Sequence, residues 1–236
     1  MAESATRKGK RPARSLRQLA QTAPTKILAS HKKSSSGPRT KRQAERRQAI
    51  LNAALDEFAA RGFAATRLDD VASRAGVAKG TIYLYFRDKE SLFQELVRTL
   101  LSPIVGTLMD ARMGDMPVRA VGEAVADLFV REIFGTRRKD VLRLIIAEGA
   151  RFPKLAEFYY REVIERVVPA MGAIMTRAVA RGELKSDALA RFPQLLIAPG
   201  LVAIVWEGLF GRFAPLDVRA LMRAHLDLLF AKRDTR

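Results

Sequence analysis

A group of basic, hydroxyl and aromatic side chains lies between Arg67 and Phe86, with a spacing suited to contact with nucleic acid. Lysine and tyrosine donate hydrogen bonds to phosphate oxygens, whereas small or hydroxyl side chains near the start of a helix reach base edges. Base contacts are expected from Ala78, Thr81 and Tyr83. The predicted DNA-contacting residues are Thr66, Arg67, Ala78, Lys79, Gly80, Thr81, Tyr83, Tyr85 and Lys89.

Two short helices around a tight turn would position this group. The first has apolar residues at helical spacing, and Thr66 with Asp69 forms a Thr-x-x-Asp variant of the capping box. Gly76 would end it, because glycine tolerates the positive φ that a tight turn needs. A second helix would run from about Ala78 to Phe86. This is the layout of a helix-turn-helix, whose second helix enters the major groove of DNA.

At these residues the chain resembles the TetR family of transcriptional regulators. The family pattern is matched at Thr66, Val71, Ala72, Ala75, Gly76, Val77, Ala78, Gly80, Thr81, Tyr83, Tyr85, Phe86, Lys89, Glu90 and Leu92. Serine is common in the family where this chain has Ala78. The alternative is a structural helical hairpin without a DNA role, but a hairpin needs neither the exposed Lys-Gly-Thr run nor both tyrosines.

The resemblance implies an all-α fold. A three-helix helix-turn-helix DNA-binding domain, residues 40–101, would be joined by a linking helix to a helical ligand-binding and dimerisation domain, residues 102–236. The segment from Glu148 to Leu184 also resembles a C-terminal domain type of the family, with less specific motifs.

Glycine and proline divide the rest of the chain into further predicted helices, with Pro103 and Gly106 marking a break or kink and Pro169 another kink. The predicted helices span 42–61, 118–134, 139–147, 153–181, 187–210 and 217–230. Asp88, Asp187 and Asp217 are expected to cap the helices that follow them.

The first forty residues carry ten Lys and Arg against Glu3 alone, a balance of +9 within a formal net charge of +17. Their weak apolar periodicity predicts a disordered basic tail, residues 1–39. Three interpretations stay open for it: a solvated leader or misassigned start, an arm that adds non-specific DNA affinity, or an organellar transit peptide.

Composition and motifs argue against several other classes of protein. The chain has no cysteine and only two histidines, His31 and His225, and no phosphate-cradling glycine loop or paired carboxylates are evident. We therefore expect no enzyme activity, no catalytic residues, no metal and no cofactor. The longest uncharged run, 192–206, is shorter than the ~20 apolar residues that span a bilayer. No secretory signal is visible, so no membrane partner and a cytoplasmic location are expected.

The last two predicted helices are very apolar, and a monomer could bury only one side of each. The resemblance implies that they pair with a second copy as a four-helix bundle. They could instead cover the core of the monomer itself. A homodimer would place two recognition helices about one DNA turn apart, ~34 Å, and so bind a palindromic operator.

The family resemblance also implies a ligand pocket in the C-terminal domain. The candidate lining residues are Phe129, Phe134, Arg143, Phe158, Tyr159 and Trp206. Aromatic residues at helical spacing are more often plain core, and Arg143 could be paired with a neighbour. The expected function is a sequence-specific, homodimeric repressor that an unknown small-molecule effector releases from double-stranded operator DNA. The alternative is a non-specific architectural DNA-binding protein driven by the basic tail.

Overall fold

The computed structural model describes residues 38–184 and 186–230, which form helices without any strand. The predicted tail, residues 1–39, lies outside the described residues except for its last two positions. The described residues from Ala44 onward form one compact unit. The α-helices are α1 Pro38–Ala65, α2 Leu68–Arg74, α3 Lys79–Ile82, α4 Lys89–Leu108, α5 Val118–Leu128, α6 Arg138–Glu148, α7 Pro153–Tyr159, α8 Glu165–Ala180, α9 Ala188–Arg191, α10 Gln194–Phe210 and α11 Val218–Phe230.

The predicted end of the first helix at Gly62 is confirmed in the backbone. Gly62 has φ 73° and ψ 170°, a conformation that interrupts α1 and is essentially restricted to glycine. The interruption turns the chain so that Phe63 folds inward and is fully buried. Its ring stacks on Phe58 at a centroid distance of 5.4 Å and meets Phe93 edge-on at 6.2 Å.

The helix-turn-helix forms from α2 and α3 as the sequence predicts. Gly76 at the turn has φ 66°, and the amide of Val77 donates to the Ala72 carbonyl at 3.0 Å. The second helix is shorter than predicted, because α3 ends at Ile82. The chain continues to Phe86 as hydrogen-bonded turns, in which the Phe86 amide donates to the Ile82 carbonyl at 2.9 Å. Ile82 is fully buried and anchors this segment.

The capping box predicted for Thr66 and Asp69 is wrong. Arg67 is the N-cap of α2, and no side chain caps this helix. The Thr66 hydroxyl instead donates to the carbonyl of Gly62 at 2.8 Å, because the Gly62 turn leaves that oxygen within reach. The predicted caps at Asp88 and Asp217 are confirmed: Asp88 forms a capping box with Ser91, and Asp217 accepts from the Ala220 amide at 2.9 Å.

One hydrophobic core serves both the helix-turn-helix and the helices that follow α4. Its buried residues in the first 101 positions include Phe58, Phe63 and Phe93, and it continues through Val141 of α6 and Leu155 of α7. Phe152, just before α7, meets the Phe63 ring at 4.9 Å. The helix-turn-helix and the end of α1 are therefore packed directly onto α6 and α7, and their position depends on these helices.

Helix α4 runs without interruption past Pro103, so the break predicted there is wrong. In the C-terminal half, the irregularity expected at Pro169 lies earlier, where Tyr160–Ile164 forms a π-helical turn between α7 and α8. The helix predicted from Asp187 is divided at Phe192 into α9 and α10, and Asp187 makes no side-chain cap.

We predict that Gly62→Ala destabilises the protein more than Gly182→Ala. Both glycines have positive φ, 73° and 71°, and a left-handed residue other than glycine costs roughly 1–2 kcal/mol. At Gly182 nothing lies within 4 Å of an added Cβ, whereas at Gly62 that atom would stand 2.5 Å from Glu148 Oε1. Urea denaturation of both variants measures the difference. Equal losses would contradict the crowding at Glu148.

Candidate DNA-binding site

The exposed end of the helix-turn-helix gathers most of the predicted DNA-contacting residues. Ala78, Lys79 and Gly80 are exposed at the start of α3, while Thr81 is half-buried. Tyr83 is 51% exposed although its neighbour Ile82 is fully buried. The apolar anchor therefore faces inward, and the small, basic and hydroxyl side chains face solvent on the opposite side.

Three charged side chains, Arg67, Asp69 and Lys79, lie together beside the start of α3. The Lys79 ammonium lies 2.7 Å from Asp69 Oδ2, and the Arg67 guanidinium lies 4.0 Å from the same oxygen. The hydrogen bond and the negative charge of Asp69 raise the pKa of Lys79 above its ordinary value. Arg67 and Lys79 remain largely exposed, with 77% and 71% of their side chains accessible. Both cations are positioned to meet an approaching phosphate.

Two predicted contact residues lie elsewhere. Thr66 is only 2% exposed, so its hydroxyl is unavailable to DNA. Lys89 donates from Nζ to the carbonyls of Phe63 at 2.9 Å and Ala64 at 3.0 Å, and its ammonium lies 4.7 Å from the centre of the Phe63 ring. The turn at Gly62 exposes these carbonyls, and Lys89 satisfies them. Burial therefore contradicts the predicted DNA contact of Thr66, whereas that of Lys89 stays a prediction beside its hydrogen bonds to the backbone of α1.

Tyr85 is half-buried, because its ring packs against the core beside Phe86. Its neighbour Leu84 is 83% exposed, and sequence reasoning missed it. An apolar side chain beside Tyr83 is suited to contact with a thymine methyl group. The signal lies in the run Ile-Tyr-Leu-Tyr-Phe, where the buried positions 82 and 86 bracket Leu84 on the opposite face.

An ionic network holds α2 against α1. Glu57 is 3% exposed and accepts from Arg74 Nε at 2.6 Å, while Arg61 Nε lies 3.3 Å from its other oxygen. Asp56 lies 3.9 Å from Arg74 and 2.5 Å from Arg137, a residue at the start of α6. Because a buried carboxylate without its cations is costly, this network fixes the orientation of α2 and, through the turn, of α3.

A second polar contact joins the end of α1, which leads into the helix-turn-helix, to α6. The Phe63 amide donates to Glu148 Oε1 at 3.2 Å, beside the turn at Gly62. Glu148 and Arg143 also border a cavity of about 230 Å³ between α1 and α6. The end of α6 is thus hydrogen-bonded to the backbone that leads into the helix-turn-helix.

One cavity lies beside Gly62 and another between α5 and α11, and of the six predicted pocket residues Arg143 alone borders either of these two. Phe158 lies under the Arg98 guanidinium at 4.8 Å, and Trp206 donates to the Ala214 carbonyl at 2.7 Å. Burial raises the pKa of Tyr159 to about 12. The aromatic members therefore serve as packing in this conformation.

Helix α10 presents a long apolar face to solvent, as expected from its composition. Its large exposed side chains, continued by Phe213, are Leu195, Leu201, Val202, Val205, Trp206, Leu209 and Phe210. On α11, Leu228 is 80% exposed. Contiguous apolar surface of this kind marks an interaction site in a soluble protein.

Residues 38–184 and 186–230 contain no cluster of three or more side chains that could hold a metal ion. Within the same residues, no helix is long and apolar enough to cross a membrane.

Family models match most of the folded chain. Residues 50–96, which include the helix-turn-helix, match the model for bacterial regulatory proteins of the tetR family. Residues 118–224 match the model for the tetracyclin repressor-like C-terminal domain. The order and spacing of the two matches are those of a DNA-binding segment followed by a helical regulatory domain.

Curated relatives and solved structures agree with these matches. The transcriptional regulator RutR of Escherichia coli K12 is 27% identical over 187 residues, covering 79% of this chain and 73% of RutR. FadR of Bacillus subtilis, solved with stearoyl-CoA, has a TM-score of 0.63 at 21% identity and covers 78% of this chain and 97% of its own. SmeT in complex with triclosan has a TM-score of 0.65 at 22% identity, with coverage of 79% and 90%.

The fold, the helix-turn-helix and these similarities agree on a regulatory role and not an enzymatic one. The chain belongs to the TetR family of transcriptional regulators.

Proposed function

We propose that this regulator is a homodimeric repressor that binds a palindromic operator through α2 and α3 and leaves it when a small-molecule effector binds. The observation that carries the proposal is the exposed surface of Ala78, Lys79, Gly80 and Tyr83, backed by the fully buried Ile82. A rigid core behind small, basic and hydroxyl groups is the arrangement that a major-groove reader needs.

The contacts with DNA divide into two kinds. Lys79, Arg67 and the Tyr85 hydroxyl are assigned to phosphates, which position the protein without reading sequence. Ala78, Thr81 and Tyr83 are assigned to base edges, through methyl contacts and hydroxyl hydrogen bonds. Leu84 extends the apolar part of this surface, since 83% of its side chain is exposed.

A second copy of the chain is the proposed partner of the apolar face on α10 and α11. Exposed side chains such as Val202, Leu209 and Phe210 lie along several turns of α10, and Leu228 adds to them from α11. A two-fold pairing of these helices buries both faces in one four-helix bundle. It also presents two copies of α3 to a two-fold DNA site.

Release by an effector requires that ligand binding favour a position of the DNA-binding segments that does not match the operator. The contacts from α6 support such coupling, because Arg137 pairs with Asp56 and Glu148 accepts from the Phe63 amide. The proposed effector site stays with Phe129, Phe134, Arg143, Phe158, Tyr159 and Trp206, which must rearrange to admit a ligand. That FadR and SmeT were solved with stearoyl-CoA and triclosan supports a small molecule with an apolar part.

The assignment of base and phosphate contacts predicts different effects of single substitutions. We expect Thr81→Ala and Tyr83→Ala to abolish the preference for an operator selected from a randomised duplex library. Lys79→Ala should weaken binding to operator and scrambled DNA alike and reduce the salt slope by about 1. Fluorescence anisotropy over a salt series measures both quantities.

Tyr160→Ala is the matched control for Tyr83→Ala, because Tyr160 is similarly exposed, at 53%, and lies in the C-terminal half. It should bind both duplexes like the wild type. Equal losses on operator and scrambled DNA for all three variants would contradict base reading. Loss of most affinity on deletion of residues 1–37 would favour the architectural alternative.

The proposed dimer interface predicts that Leu209→Glu yields monomers at micromolar concentration, because a charge would be buried in an apolar bundle. The control is Met109→Glu, since Met109 is 44% exposed at the end of α4, away from α10 and α11 in sequence. Multi-angle light scattering should show dimers for the wild type and the control. A monomeric wild type would refute the dimer.

A further inference from the structure

An acidic side chain lies within the basic surface that is assigned to DNA. Asp69, in the first turn of α2, reaches across to the start of α3, where its Oδ2 lies 2.7 Å from Lys79 Nζ. The same oxygen is 4.0 Å from the Arg67 guanidinium. One carboxylate therefore lies between the two largely exposed cations that are assigned to phosphates.

Like Asp70, Asp69 lies in the first turn of α2, where a negative charge is favourable to the helix dipole. It caps no amide, since α2 has Arg67 as its N-cap and no side-chain cap. Its second oxygen, Oδ1, is buried and accepts no hydrogen bond from the described residues. The contacts that hold this carboxylate are thus the cations on the DNA-facing surface.

The adjacent Asp70 is different, although it has the same charge in the same turn. Its Oδ2 lies 3.2 Å from Arg61 Nη1, and Arg61 belongs to α1. Asp70 therefore pairs within the scaffold that holds α2, whereas Asp69 pairs with the surface that meets DNA. The two residues form a natural comparison of one charge at two positions.

We propose that Asp69 is a positioning residue that restrains DNA binding by occupying the Lys79 ammonium as a phosphate would. The inference rests on the proposed DNA-binding role of α3. When the protein binds DNA, Lys79 has to exchange the Asp69 carboxylate for a phosphate oxygen. Asp69 then faces the phosphate backbone of the DNA with its charge uncompensated. Both consequences lower affinity for DNA of any sequence, and they reduce the number of counterions released on binding.

The test compares Asp69→Asn with Asp70→Asn in the full chain, using a labelled random-sequence duplex about two helical turns long. Anisotropy titrations between about 50 and 200 mM salt give the affinity and the salt slope. Asp69→Asn should bind roughly three- to fivefold more tightly than the wild type, as expected for release of an exposed ion pair. Its salt slope should steepen, by at most about 0.9, because Asp69 then no longer reduces the number of counterions released on binding. Asp70→Asn should change neither by more than a small fraction of this.

A double-mutant cycle with Lys79→Met shows whether Asp69 acts through Lys79. In the Lys79→Met background, Asp69→Asn should lose the part of its advantage that comes from freeing Lys79, and should gain clearly less over Asp70→Asn than it does in the wild type. Equal affinities and slopes for Asp69→Asn and Asp70→Asn would overturn the inference, and so would weaker binding by Asp69→Asn, which would indicate a structural role. A wild type that binds no duplex at all would overturn the proposed function itself, and the inference with it.

Discussion

The burial of Phe63 is the constraint on which the rest of this structure depends. The left-handed turn at Gly62 directs Phe63 into a cluster with Phe58, Phe93 and Phe152, three rings from three different parts of the chain. The turn also leaves backbone groups without helical partners. Lys89 satisfies the carbonyls that follow Gly62, and Glu148 accepts from the Phe63 amide. The end of α1, which leads into the helix-turn-helix, therefore contacts α4 and α6 at the same point.

This arrangement gives α1 and the helix-turn-helix an inner side and an outer side with different functions. The inner side carries the aromatic core and the Glu57 network, which hold α2 without contacting solvent on the recognition face. The outer side carries Lys79 and Tyr83, whose exposure depends on the burial of Ile82 between them. The polar contacts from α6 and its N-cap, Glu148 with the Phe63 amide and Arg137 with Asp56, lie on the inner side.

The sequence predicted the helices and the turn well, because both depend on local patterns. Apolar spacing located α2, and the glycines at 62 and 76 marked the positions where φ is positive. Residues whose role depends on distant partners were predicted less well. Lys89 has a side chain of the type that contacts phosphate, but the fold brings its ammonium to the carbonyls of Phe63 and Ala64. Such partners appear only when the fold brings separated segments together. The same holds for Glu148, 85 residues from the amide that it binds.

The helix-turn-helix with the end of α1 shares one core with α6, and we expect them to unfold as one cooperative unit. Hydrogen–deuterium exchange at increasing urea concentrations tests it most directly, because it reports the opening of each segment separately. We expect peptides from the buried part of α1, around Phe58, and from α6, around Val141, to lose protection at one common urea concentration. Loss of protection around Phe58 at clearly lower urea, with α6 still protected, would contradict it.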